Sequence, residues 1–219
     1  MSQTETGLRS LLSRPALYDF FQNLVGARRA RAGWTRNFIR PFPGMRLLDI
    51  GCGTAELLAH LPADSEYTGF DQSATYIDAA RRRYGTRGRF LCSGAEAVWR
   101  NAGVDGRGEA GAAPGGFDVA VAFGILHHLE DEEARALFRG AYRALKPGGR
   151  LVAIDPAYAP GQTAMARFLA SRDRGRNVRS PEAYARLGEA AFDNVEVTVT
   201  DDALRIPYSH AVLVCSRGA

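Results

Sequence analysis

"LLDIGCGTAELLAHL", Leu47 to Leu61, decides the fold. An apolar run broken by one acid, Asp49, leads into Gly51-Cys52-Gly53, and the residues from Thr54 take helical spacing. A buried strand, a turn almost bare of side chains and a helix form the first unit of a parallel α/β sheet. In such sheets ligands lie beyond the carboxyl ends of the strands, where the strand order reverses. Gly51 and Gly53 allow a ligand close to the backbone. Thr54 is expected to open a helix whose free N–H groups face the same space.

The same alternation continues outward. "EYTGF" reads as a strand and "SATYIDAARRRYG" as a helix; "GRFLC" is a strand and "GAEAVWRN" a short helix. Asn101 to Gly116 is rich in Gly and Ala and reads as a flexible surface insertion. "FDVAVAFG" is a continuous apolar strand, "DEEARALFRGAYRAL" a helix with acids in its first turn, "KPGG" a turn and "GRLVAID" another buried strand. Helical spacing returns in "GQTAMARFLASRDRG" and in "SPEAYARLGEAAF", with Ser180 as N-cap. "VEVTVT" and "HAVLVCS" close the chain as an edge hairpin. The expected architecture is Rossmann-like: seven mostly parallel strands, helices on both faces and the last strand antiparallel. Residues 1–43 read as an N-terminal helical cap with an apolar stripe of Leu17, Phe20, Phe21, Leu24 and Val25. Residues 44–219 read as the core, with a lid-like insertion at about 156–180.

Composition bounds the function. The 219 residues are 46% hydrophobic and 24% charged, enough for one large core. No apolar run reaches membrane-span length, and the start lacks a secretory pattern. Cys52, Cys92 and Cys215 lie far apart without metal-ligand spacing, which fits reduced thiols in a cytoplasmic protein. The net charge is +4, but Lys146 is the only lysine, and the densest basic run, Ala80 to Arg89, holds a single aromatic residue, Tyr84, too few to interleave for base stacking. That run reads as a solvated helix end rather than a nucleic-acid face.

The ligand follows from spacing. The second strand ends in Asp71, a carboxylate able to accept from both hydroxyls of a ribose. A dinucleotide remains an option at this point, but its loop wants a third glycine where Glu56 stands, and there is no P-loop lysine. Asp49 would repel a pyrophosphate and attract an ammonium group. A nucleoside with a positively charged tail fits better.

"LLDIGCGTAELL", "YTGFDQSATYIDAARRR", "FLCSGAEAV", "FDVAVAFGILHHL" and "LKPGGRLVAIDP" together resemble the successive motifs of class I S-adenosylmethionine-dependent methyltransferases, in order and spacing, from about Gly44 to Pro156. The resemblance implies S-adenosylmethionine as cofactor. Asp49, Gly51, Cys52 and Gly53 would wrap its methionine part, and Asp71 would hold the ribose. Gln72 would lie against adenine, with Gly94, Ala95 and Glu96 forming the adenine-side turn. Phe123 and Gly124 would meet the methionine amino group. Two departures stand out: Ala55 where the family often has glycine, and Gly94 where it often has the aspartate that receives the adenine amino group.

Methyl transfer needs an acceptor aligned behind the methyl carbon in a dry site, with a base when the acceptor is a hydroxyl or ammonium. His127 and His128 follow the fourth strand at the ligand end. The resemblance points to His127 as the pocket-facing residue; the alternative is that both histidines only cap and pack the loop. Asp155 ends the fifth strand, where it orients His127, holds the acceptor, or simply starts the turn before Pro156. Tyr18, His128, Tyr158, Arg174 and Arg179 are the candidate substrate contacts. The arginines suit an acidic group on a small-molecule acceptor, a latch onto acids of the core, or plain solvation. The alternatives to methyl transfer are a cofactor-assisted cyclisation, elimination or decarboxylation, and a nucleic-acid or protein acceptor. Oligomeric state is left open.

Overall fold

The computed structural model describes residues 26–94, 116–173 and 175–219. The predicted first helical stripe, the "GAEAVWRN" helix, the insertion up to Gly115 and candidates Tyr18, Ala95, Glu96 and Arg174 lie outside the described residues. In chain order come α1 (Ala27–Trp34), continued by a wide turn Thr35–Ile39, then β1 (Arg46–Ile50), a tight helical turn Glu56–His60 and β2 (Glu66–Asp71). Next are α2 (Ala74–Tyr84), β3 (Gly88–Cys92), β4 (Phe117–Phe123), a short turn Leu126–His128, α3 (Asp131–Ala144) and β5 (Leu145–Pro156). The chain ends with α4 (Ala164–Ser171), α5 (Pro181–Glu189), β6 (Asn194–Thr200) and β7 (His210–Ser216).

Seven strands form one sheet in the order β3-β2-β1-β4-β5-β7-β6. β1 to β5 pair in parallel, while β7 runs antiparallel to both β5 and β6. The order reverses between β1 and β4, so the glycine loop after β1 stands at the switch point where such sheets bind ligands.

The strands form where β-branched and apolar residues run together, and alternation decides which face each residue covers. Leu48, Ile50, Ala120, Ala122, Leu151 and Ala153 pack on one side with Leu137, Phe138 and Ala141 of α3 and with Tyr184 and Leu187 of α5. Leu47, Val119, Val121, Val152 and Ile154 pack on the other with Leu57, Leu58, Ile77 and Ala80. α3 starts with a reciprocal Glu130–Glu133 capping box, and Ser180 caps α5 by accepting from the Ala183 N–H. On β4, Asp118 accepts from Lys146 Nζ at 2.7 Å and from the Arg46 N–H at 2.8 Å, tying three strands at the end remote from the loop.

Two local expectations change. "TAELLAHL" does not make an α-helix. Ala55 takes a left-handed conformation (φ 58°) and Leu61 is extended ahead of Pro62, which leaves room for a single tight turn at Glu56–His60. "KPGG" lies inside the long β5, where the pairing jumps from Phe117–Leu145 to Val119–Arg150, so Lys146 to Gly149 bulge out of register.

Candidate active site

The loop after β1 is built from its own backbone. Gly51 and Cys52 both donate N–H bonds to Phe70 O, at 2.9 and 3.0 Å, and the Ala55 N–H reaches Cys52 O at 2.8 Å. The Gly53 N–H donates to Asp71 Oδ2 at 3.0 Å, and the Ser73 N–H to Asp71 Oδ1 at 2.8 Å. The N–H groups of Gly51, Cys52, Gly53 and Ala55 are thus bonded within the protein, and the expected helix at Thr54 is replaced by a tight turn at Glu56–His60. A pyrophosphate would meet the carboxylates of Asp49 and Asp71. Glu56, standing where a dinucleotide loop has glycine, pairs with Arg83 of α2.

Space and charge fit a nucleoside with a cationic tail. Gly51, at φ +71°, lies so close to Ile125 that a Cβ would come within 2.8 Å of its Cδ1. At Gly53 and Gly94 a Cβ would meet no atom within 4 Å among the described residues, so no described side chain covers the backbone there. Asp71 ends β2 half-buried, with each oxygen accepting one backbone bond, and a carboxylate has acceptor capacity left for two ribose hydroxyls. Asp49 is buried within β1 and accepts from Tyr67 Oη at 2.6 Å. Burial pushes its pKa up to about 7, against the Tyr67 bond and the Arg31 charge. Cys52 packs over Gly69, and burial holds its thiol protonated, well above the ordinary range. Gln72 and Gly94 are exposed at the adjoining strand ends. Trp34 of α1 packs edge-on against Phe123 and His210, with ring centroids 6.0 and 5.1 Å away.

Beyond β4 stands a chain of polar groups. His127 is 5% exposed and Asp155 0%. Asp155 Oδ1 lies 2.6 Å from His127 Nδ1 and also accepts the His127 backbone N–H at 3.0 Å. On the other edge of the ring, Nε2 is 3.0 Å from Asp173 Oδ1, and Tyr208 Oη donates to Asp173 Oδ2 at 2.5 Å. Burial lowers the His127 pKa, but the bonds to Asp155 and Asp173 and their charges outweigh it and push it up to about 9. Burial raises Asp155, with His127 opposing; the His127 and Gly175 bonds overcome burial and hold Asp173 far below the usual carboxylate range. His127 Cε1 is 3.8 Å from where a Cβ on Gly124 would stand, so the ring borders the end of β4.

The other candidates are placed as follows. His128 is exposed, its ring 4.0 Å from that of His127. Tyr158 is half-buried under the Arg167 guanidinium, 5.4 Å from ring centroid to charge. Arg179 bonds Leu126 O at 3.0 Å, Leu129 O at 2.8 Å and Asp131 at 2.8 and 3.1 Å, so its fork is occupied within the protein. Sequence reasoning missed Asp173 and Tyr208. The one signal for Asp173 was its position as the sole acid in an arginine-rich run; Tyr208 carried none.

A family profile described as a methyltransferase domain matches residues 48–151. The chain is 33% identical over 170 residues to a ubiquinone biosynthesis O-methyltransferase of Ruegeria pomeroyi, covering 72% of this chain and 63% of that protein. It is 32% identical over 124 residues to an O-methyltransferase of Pyrenophora dematioidea, covering 54% and 42%. Among solved structures, the pyocyanin biosynthetic protein PhzM superposes with a TM-score of 0.70 at 18% identity, over 97% of this chain and 62% of that one. The chain spans less than two thirds of each of these proteins. The cofactor of the family is S-adenosylmethionine, which the open glycines and the two carboxylates fit. Residues 48–151, with the motifs that frame this loop, match a methyltransferase domain, and the fold is that of the S-adenosylmethionine-dependent methyltransferases.

Proposed function

We propose that the protein transfers a methyl group from S-adenosylmethionine to a small-molecule acceptor. The observation that carries this reading is the buried His127–Asp155 pair at the end of β4, next to a loop shaped for the cofactor. Asp71 holds the ribose hydroxyls, and Asp49 faces the positive methionine end. Gly53 and Gly94 leave the backbone open to the nucleoside, with Gln72 beside the adenine; Ala95 and Glu96 complete that turn by family resemblance. Bound cofactor supplies an electrophilic methyl on a sulfonium. Burial excludes water from the acceptor side.

His127 is the catalytic residue that meets the acceptor, and Asp155 is a positioning residue that fixes the ring through Nδ1 and through the backbone N–H. With its pKa raised to about 9, the imidazole is a cation at neutral pH, so it holds negative charge rather than taking a proton. Tyr158 and the segment at about 156–180 border the acceptor space as a lid, and Arg179 latches that lid to Asp131. The described residues include no helix long and apolar enough to cross a membrane, and the three cysteines are free thiols, which supports a reducing cytoplasmic setting.

The test is incubation with trideuteromethyl-labelled cofactor and a panel of small acceptors, followed by mass spectrometry. Labelled product together with S-adenosylhomocysteine supports the reading. An acceptor converted without S-adenosylhomocysteine would replace it with a cofactor-assisted rearrangement or elimination. That second reading draws on one observation: both nitrogens of His127 are engaged, leaving no free base.

A further inference from the structure

We propose that the position held by the Asp173 carboxylate on His127 is the acceptor's oxyanion site, and that the acceptor is an acidic hydroxyl compound, a phenol or enol, bound as its anion. This rests on the methyltransferase reading and names the substrate class of the same site.

Two buried side-chain donors converge on Asp173 from separate parts of the sheet. His127, after β4, meets Oδ1 at 3.0 Å, and Tyr208, leading into β7, donates to Oδ2 at 2.5 Å. Both are nearly closed to solvent, at 5% and 9%, whereas the Asp173 side chain is 23% exposed. The donors belong to the scaffold; the carboxylate is the part that reaches in from outside. Asp173 sits just past α4, and its remaining side-chain hydrogen bond among the described residues is local, from the Gly175 N–H to Oδ1 at 3.0 Å. The following residues stay anchored without it, through the Asn177 N–H to His127 O and through Arg179. A turn about the Asp173 Cα–Cβ bond therefore frees the Nε2 edge of His127 without unfolding the segment, while Gly175 stays packed against the ring.

Clearing it leaves two buried donors facing one another, which is costly unless an acceptor replaces the carboxylate. The replacement must match its charge. His127 carries a proton between Asp155 and Asp173, and an anionic oxygen keeps that balance. An ammonium is repelled by the imidazolium, and a neutral amine leaves the charge of the displaced carboxylate unreplaced. The site thus selects oxygen over nitrogen. Binding as the anion means the hydroxyl proton has gone to solvent before reaction. In the transfer, the acceptor oxygen's lone pair forms the O–CH₃ bond as the sulfonium S–CH₃ bond breaks, and that electron pair goes to sulfur. His127 and Tyr208 hold the anion in line without taking a proton.

Asp173 is then a competitor of the acceptor. The test uses 4-nitrophenol, whose visible absorption reports its own ionisation, titrated into protein saturated with S-adenosylhomocysteine. Asp173→Ala is expected to bind the probe about tenfold more tightly than the unaltered protein. The bound probe should be ionised at a pH where free probe is mostly neutral. Asp173→Asn should fall between the two and carries the test if the alanine variant does not fold. Adding Tyr208→Phe should reverse most of the gain. Equal or weaker probe binding in the Asp173 variants, with S-adenosylhomocysteine affinity intact, overturns the proposal alone. Failure of the unaltered protein to bind S-adenosylhomocysteine overturns the methyltransferase reading and this proposal with it.

Discussion

Asp155 Oδ1 accepts from His127 twice, from the ring at 2.6 Å and from the backbone N–H at 3.0 Å. One oxygen on β5 thus sets both the position of the turn after β4 and the face its imidazole shows to the ligand end of the sheet. Asp173 takes the opposite ring edge, so His127 bridges β5 and the segment after α4.

That bridge makes stability depend on pH. The His127 pKa stands at about 9 in the fold against an ordinary 6.5. The proton is bound more tightly in the folded state, so the contribution is fully present below pH ~6.5 and is lost as pH rises through about 9. The loss should be on the order of 3 kcal/mol. Urea unfolding at pH 6.5 and pH 9.5 measures it. His127→Gln should flatten the profile, and a profile equally steep in that variant would contradict the assignment.

Asp49 makes cofactor affinity depend on pH with a different midpoint. Its burial-raised pKa of about 7 leaves it partly protonated at neutrality. The ligand's α-ammonium favours the ionised form, so S-adenosylhomocysteine should bind more tightly as pH rises from 6 to 8, with release of a proton. Calorimetry in two buffers of different ionisation enthalpy reads that proton. Asp49→Asn should abolish the release; a release unchanged in the variant would place its source elsewhere.

Gly51→Ala combines two penalties. The φ of +71° strains an L side chain by about 1–2 kcal/mol, and the new methyl would meet Ile125 Cδ1 at 2.8 Å. The variant should melt lower and bind cofactor less well. Adding Ile125→Ala should restore only part of the loss, because it relieves the contact and not the backbone. Full recovery in the double variant would show that contact is the whole cost.

Arg179→Lys should behave as a strong substitution despite keeping the charge. A lysine cannot reach Leu126 O, Leu129 O and Asp131 together as the guanidinium does. Limited proteolysis should cut the 157–180 segment several times faster in the variant, with cofactor affinity little changed. Protection equal to that of the unaltered protein would remove Arg179 as the latch.

The strands could be read from the sequence because each is a short apolar run beside a turn signal, as in "FDVAVAFG" and "GRLVAID". The loop could be read because glycines with an acid at the next strand end have few other uses. The short turn at Glu56–His60 could not, since helical spacing in "ELLAH" does not reveal that Ala55 enters in a left-handed conformation. Tyr67 as partner of Asp49, and Tyr208 as partner of Asp173, are made by sheet register and by contacts across 18 and 35 residues. Arg179 stood out by composition, but its carbonyl partners carry no side-chain signature at all.

The central claim is that the loop after β1 and the carboxylate after β2 hold the nucleoside cofactor. Calorimetric titration with S-adenosylhomocysteine tests it most directly, in the unaltered protein and in Asp71→Asn. One site of roughly micromolar affinity, weakened by about 10-fold or more in the variant, is the predicted result, since a hydrogen bond to a charged group contributes about 1.5–3 kcal/mol. No binding by the unaltered protein, or equal affinity in the two, would contradict it.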